Sequence, residues 1–125
     1  MKIAMTSIPV PDPSQAHKHY TEVLGFESKM IDHSAKLAIV VSPSAPDGTM
    51  LMLEPNENPI SKIYQESLYK AGIPIMSFGV ANLKEEYIRL VNLDVRFKKE
   101  PTEESWGWDS IFDDQQGNWI QLIQL

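Results

Sequence analysis

Apolar and polar residues recur along this chain with two periods, and each change of period falls at a cap or turn residue. Residues 2–10 are rich in β-formers and read as a strand. Asp12 followed by Pro13 supplies an N-cap with proline at the first helical position. Ala16, Tyr20, Val23 and Leu24 then recur at i, i+4, i+7 and i+8, one apolar helical stripe that ends at Gly25 as a left-handed cap. Three β-rich runs follow, 26–31, 36–41 and 49–54, the last two separated by a loop from Ser42 to Gly48 with Pro, Asp and Gly. The pattern predicts a β-α-β-β-β unit.

Asn58 and Pro59 repeat the cap-plus-proline signal, and Ile60, Ile63, Tyr64, Ser67, Leu68 and Ala71 share one helical face before Gly72. Residues 73–80 read as a strand. Asn82 with Glu85 forms an N-x-x-E variant of the capping box for a helix whose Leu83, Tyr87, Leu90 and Val91 share a face. Strands over 95–99, 105–112 and 119–125, with Gln115-Gln116-Gly117-Asn118 as the last turn, complete a second β-α-β-β-β unit. A shift of 70 positions carries Ile8 to Phe78, Val10 to Val80 and the Asp12 cap to the Asn82 cap. The expected fold is α+β: paired βαβββ modules over about 1–56 and 73–125, joined by a helix over 58–72. They form one domain, 1–125, with the sheets curving around a concave cup and the helices outside.

Composition narrows the function. At 125 residues, 42% hydrophobic and 22% charged, the chain has the make-up of one globular domain. Eleven basic against seventeen acidic side chains give a net charge of −6, which argues against a nucleic-acid partner. The absence of cysteine removes disulfides, thiolate metal sites and cysteine nucleophiles together. The N-terminus meets polar residues and Pro9 too soon for a signal-peptide core, and no apolar run is long enough to span a bilayer. The expectation is therefore a soluble, cytoplasmic protein with no membrane contact. The six glycines are not spaced for a phosphate-binding loop.

Three segments carry a family resemblance: Ile8-Pro9-Val10-Pro11-Asp12 with His19-Tyr20-Thr21-Glu22-Val23-Leu24-Gly25-Phe26, then Phe78-Gly79-Val80-Ala81-Asn82, then the stretch from Phe112 through Asp113, Asp114, Gly117, Asn118 and Trp119 to Leu122. They resemble the vicinal oxygen chelate superfamily of glyoxalases, bleomycin- and fosfomycin-resistance proteins and extradiol dioxygenases. In that family's metalloenzymes, one ligand stands five residues before the valine of each module's first strand and one in each module's last strand. The resemblance places these positions at Met5, Met52, Ile75 and Gln121, of which only Gln121 has an oxygen or nitrogen donor. No metal site and no cofactor are therefore expected. The resemblance also implies a homodimer.

Strand alternation places Met5 with Ile3 and Ser7, Ile75 with Ile73, Ser77 and Gly79, and Gln121 with Trp119, Ile123 and Leu125. The opposite faces carry Ile8, Val10, Phe78, Val80, Ile120 and Leu122, suited to packing on helices. An apolar lining with a few polar points describes a small-molecule pocket. Met5 and Met52 give it adaptable walls, Glu54 adds an acid at a strand end, and Trp106, Trp108 and Trp119 offer stacking surfaces for a planar or cationic ligand. His17 and His19, two apart on a helix, point about 200° from each other and cannot chelate one ion. His33 falls in a turn. Adjacent carboxylates at Glu85-Glu86, Glu103-Glu104 and Asp113-Asp114 suit caps and turns better than an acid–base pair. The reading that follows is a metal-independent binding protein sequestering a drug or metabolite. Its rivals are a glyoxalase-like lyase, isomerase or dioxygenase-related enzyme with an atypical metal site, and an interaction module with an empty cup.

Overall fold

A computed structural model describes residues 1–125, and the chain divides into two compact units, Met1–Lys62 and Ile63–Leu125. The first holds β1 (Met5–Val10), α1 (Pro13–Glu22), β2 (Glu27–Asp32), β3 (Leu37–Val41) and β4 (Met50–Pro55). Helix α2 (Pro59–Ala71) contains the boundary. The second unit continues with β5 (Met76–Val80), α3 (Leu83–Asn92), β6 (Phe97–Glu104), β7 (Gly107–Asp113) and β8 (Trp119–Gln124). Each unit has one four-stranded sheet, ordered β1-β4-β3-β2 in the first and β5-β8-β7-β6 in the second. The α+β class and the repeated β-α-β-β-β order match the expectation.

In the first unit the Asp12 carboxylate accepts from the backbone N–H of Ser14 at 2.9 Å and starts α1. One face of α1 then buries Ala16 and Tyr20 against the sheet, with Ile8, Val10, Ala38, Val40 and Leu53 fully enclosed. Tyr20 stacks on Phe26, ring centres 6.0 Å apart. In the second unit Asn82 caps α3 by accepting from the Glu85 N–H at 3.1 Å. Leu83 and Leu90 bury against Phe112, Ile120 and Leu122, while Tyr87 meets Phe97 edge-on at 4.7 Å.

Several boundaries differ from the sequence expectation, and for the strands pairing decides where each one stops: β5 begins at Met76, opposite Ile120 of β8, and not at residue 73. β1 begins at Met5, opposite the first residue of β4, Met50, so residues 2–4 lie outside it. Helix α1 ends at Glu22, three residues before Gly25, which is left-handed at φ 88°. β6 runs on to Glu104 through Pro101, which an edge strand tolerates, and its register against β7 shifts between Lys99 and Thr102.

Candidate functional site

The first unit presents a methionine-rich sheet face. β1 and β4 pair Met5 with Met50, Ser7 with Met52 and Pro9 with Glu54. Residues paired across strands share a face, so Met5, Ser7, Met52 and Glu54 stand together, opposite the face that α1 covers. β3 and β2 extend the row, since Ile39 pairs with Met52 and Met30 with Ile39. Met5 is 42% exposed and Met30 39%, while Met52 and Glu54 are half-buried. Met30 escaped the sequence reading because the register of β2 shifts between Ser28 and Met30, which breaks the alternation that would have shown its side.

In the second unit, the face away from α3 carries a hydrogen-bonded row across all four strands. Ser77 Oγ on β5 donates to Gln121 Oε1 on β8 at 2.6 Å, and Gln121 Nε2 donates to Asp109 Oδ2 on β7 at 2.9 Å. Lys99 Nζ on β6 donates to Asp109 Oδ1 at 2.6 Å and to Glu104 Oε1 at 2.7 Å. Hydrogen bonding to Asp109 first, then to Glu104, raises the Lys99 pKa above the ordinary lysine value. Asp109 is only 3% exposed, and Ile111 and Ile123 frame the row on the same face. Asp109 and Lys99 were not among the sequence candidates. The available signal was a lone carboxylate within the Trp108-to-Phe112 strand on the same side as Ile111.

The tryptophans separate. Trp119 does share a face with Gln121, but Tyr69 of α2 stacks on its indole at 4.9 Å and 5° between planes, and its Nε1–H donates to the Tyr69 carbonyl at 3.0 Å. Arg96 and Lys98 place their cationic groups 5.4 and 5.6 Å from the same ring. Tyr69 in turn donates its hydroxyl to Asp113 Oδ2 at 2.7 Å, and this bond to a carboxylate raises the phenol pKa above its usual value. The chain's own aromatic and cations thus occupy the stacking surface expected of Trp119. Alternation across Gly107 predicts Trp106 and Trp108 on one strand face, but β7 begins only at Gly107 and they do not share one. Trp106 lies in the turn before β7 and is 60% exposed, whereas Trp108 alternates with Asp109 onto the α3 side, where Lys84 sits 4.8 Å from its ring. Ile75 precedes β5 and donates its backbone N–H to the Trp119 carbonyl at 2.9 Å.

The remaining polar residues do structural work. Asp113 Oδ1 accepts from the Gln115 N–H at 2.8 Å, and the buried Asp114 accepts from the N–H groups of Gln116 and Asn118 at 2.8 and 3.0 Å, which builds the β7–β8 turn. His17 Nε2 bonds Ser28 Oγ at 2.8 Å and Ser14 Oγ bonds His33 Nδ1 at 2.9 Å. Desolvation first, and the neighbouring His33 second, lower the His17 pKa. No three His, Asp or Glu side chains converge as metal ligands would. Of the four positions that the family resemblance assigns to metal ligands, Met5, Met52 and Ile75 have no hard donor, and Gln121 alone offers a single amide oxygen where a divalent ion needs several. These residues do not fit a divalent centre.

Comparison with known proteins places this arrangement. The uncharacterized protein YurT of Bacillus subtilis (strain 168) is 44% identical over 126 residues, with 99% of each chain covered. The crystal structure of UcmS2 covers 100% of this chain and 98% of its own at 26% identity, with a TM-score of 0.83. TnmS3, an antibiotic binding protein from Streptomyces sp. CB03234, is 22% identical, covers 99% of this chain and 95% of its own, and has a TM-score of 0.76. The family model for glyoxalases, bleomycin resistance proteins and dioxygenases matches residues 2–122, almost the whole length. The chain belongs to the Glyoxalase/Bleomycin resistance protein/Dioxygenase superfamily.

Proposed function

We propose that this protein is a metal-independent, cytoplasmic small-molecule binder of the bleomycin-resistance type, which sequesters a drug or metabolite in a groove. The observation that carries this reading is the helix-free face of the first sheet. Met5, Met30, Met50 and Met52 stand there beside Ser7 and Glu54, an adaptable apolar surface with few polar points. The fold likeness to an antibiotic binding protein supports the same reading. A net charge of −6 favours a cationic ligand, with Glu54 the acid on that face. Trp119, covered by Tyr69 within the second unit, offers no open stacking platform.

A thermal-shift screen of bleomycin, other antibiotics and metabolites tests the reading. A binding compound at about 100 times its Kd should add about 2.7 kcal/mol to native stability and raise Tm, with and without EDTA. The reading fails if no compound moves Tm, or if every shift needs added metal. The protein is proposed to act as a homodimer, since β1 and β5 are edge strands with one side open for pairing. Light scattering should give about twice 14.2 kDa; a monomer at tens of micromolar would refute the dimer.

A further inference from the structure

The row across the second sheet fixes the orientation of one amide. A side-chain amide can turn over and exchange its oxygen and nitrogen at little cost when its neighbours both donate and accept. Gln121 has no such freedom. Asp109, paired with Lys99, presents a carboxylate that only accepts, so the group facing it must be Nε2–H, at 2.9 Å. The oxygen is thereby turned to β5, where the Ser77 hydroxyl donates to it at 2.6 Å. β8 lies between β5 and β7, so these two partners hold the amide from opposite sides.

Each bond uses half of what its atom offers. Gln121 keeps one lone pair on Oε1 and one N–H on Nε2. Ser77 and Asp109 approach from the strands flanking β8, along the sheet, so the lone pair and N–H they leave are those pointing away from it, side by side on one amide edge. Ser77 and Gly79 on the neighbouring strand are exposed, and Gln121 is only half-buried, so that edge is open to a small molecule.

We infer that Gln121, oriented by Asp109 and Ser77, recognises a primary carboxamide or lactam group, whose adjacent N–H and C=O form two parallel hydrogen bonds with the free amide edge. This rests on the small-molecule-binding reading above and gives the ligand class that the open face of the second sheet takes. An ester or tertiary amide has no N–H to give Oε1. An open-chain secondary amide holds its N–H and C=O on opposite sides and can make only one of the two bonds. Asp109 and Lys99 act as positioning residues, since neither faces the ligand through the free edge.

The test is titration of benzamide, N,N-dimethylbenzamide and methyl benzoate into the ¹⁵N-labelled full chain, following the side-chain NH₂ signals of Gln121. Benzamide should move them saturably and bind at least about five-fold more tightly than the other two, the discrimination of a paired hydrogen bond. Ser77→Ala, at an exposed position, keeps the fold and should reduce the preference. Asp109→Asn, which lets the Gln121 amide turn over, should bring the three affinities within about two-fold. Equal affinity for the three probes in the unmodified protein, no movement of the Gln121 signals, or no benzamide binding up to its solubility limit would each overturn the inference. An antibiotic that raises Tm while the amide preference is missing leaves the sequestering reading standing, and a silent antibiotic screen removes that reading instead.

Discussion

A carboxylate in a β-strand with apolar neighbours is tolerable only when its oxygens are bonded, and Asp109 meets that condition through Gln121 Nε2 and Lys99 Nζ. Removing it leaves Gln121 Nε2 without its acceptor and Lys99 with Glu104 alone, so Asp109→Ala should destabilise the protein by about 1–3 kcal/mol in urea unfolding. A change below about 0.5 kcal/mol would mean that water replaces the carboxylate fully. Trp119 belongs to the same scale. Trp119→Phe keeps an aromatic ring against Tyr69 but loses the Nε1–H bond, an expected loss of about 1 kcal/mol, whereas Trp119→Ala should lose about 3–5 kcal/mol. Equal losses for the two variants would show that the stack contributes nothing. Alternation alone put Trp119 and Gln121 on one face. It could not supply Tyr69, because which residue of α2 meets the indole depends on how the helix lies in its unit.

At the scale of elements, the ends of α2 and α3 use one device with different residues. Gly72, at φ 73°, closes α2 with N–H bonds from Gly72 to the Tyr69 carbonyl and from Ile73 to the Leu68 carbonyl. Asp94, at φ 63°, closes α3 with the equivalent pair, Asp94 to Val91 and Val95 to Leu90. The first end was legible because glycine announces a left-handed residue; the second was hidden because aspartate takes that conformation at a cost. Asp94→Gly should therefore stabilise the fold by about 0.5–1 kcal/mol, read as a higher urea midpoint with an unchanged slope. Gly72→Ala should do the reverse by about 1–2 kcal/mol or more. Its new methyl would meet Lys98 Nζ at 1.8 Å, so that lysine must leave the Gly72 carbonyl it bonds at 2.8 Å. A lower midpoint for Asp94→Gly would show that the aspartate side chain has a role of its own.

For the whole molecule, the shifted groups predict opposite pH limits for the two units. His17 in the first unit has a lowered pKa, so the native state binds fewer protons than the unfolded chain, and the stability present above about pH 6.5 is lost as pH falls through the lowered value. Tyr69 and Lys99 in the second unit have raised values, so their contribution is present at neutral pH and is lost as pH rises past about 10. Urea midpoints measured from pH 5 to 11 should show a plateau between these limits, and His17→Gln should flatten the acid side alone. An unchanged acid slope in that variant would refute the assignment. The sequence by itself determined the two β-α-β-β-β units, the helix starts at Asp12 and Asn82 and the buried parts of the α1 and α3 stripes, Ala16 with Tyr20 and Leu83 with Leu90, because caps and periodicities act through residues close in the chain. The α2 stripe of Ile60, Ile63 and Tyr64 is exposed instead. It also determined that three of the four inherited ligand positions lack a donor, which is a matter of side-chain chemistry alone. The tertiary structure decided which side of the sheet Trp108 and Met30 occupy, since bulges and turns shift parity. It alone decided that Asp109 and Lys99 would lock Gln121, because those groups stand far apart in the chain and meet only when the strands pair.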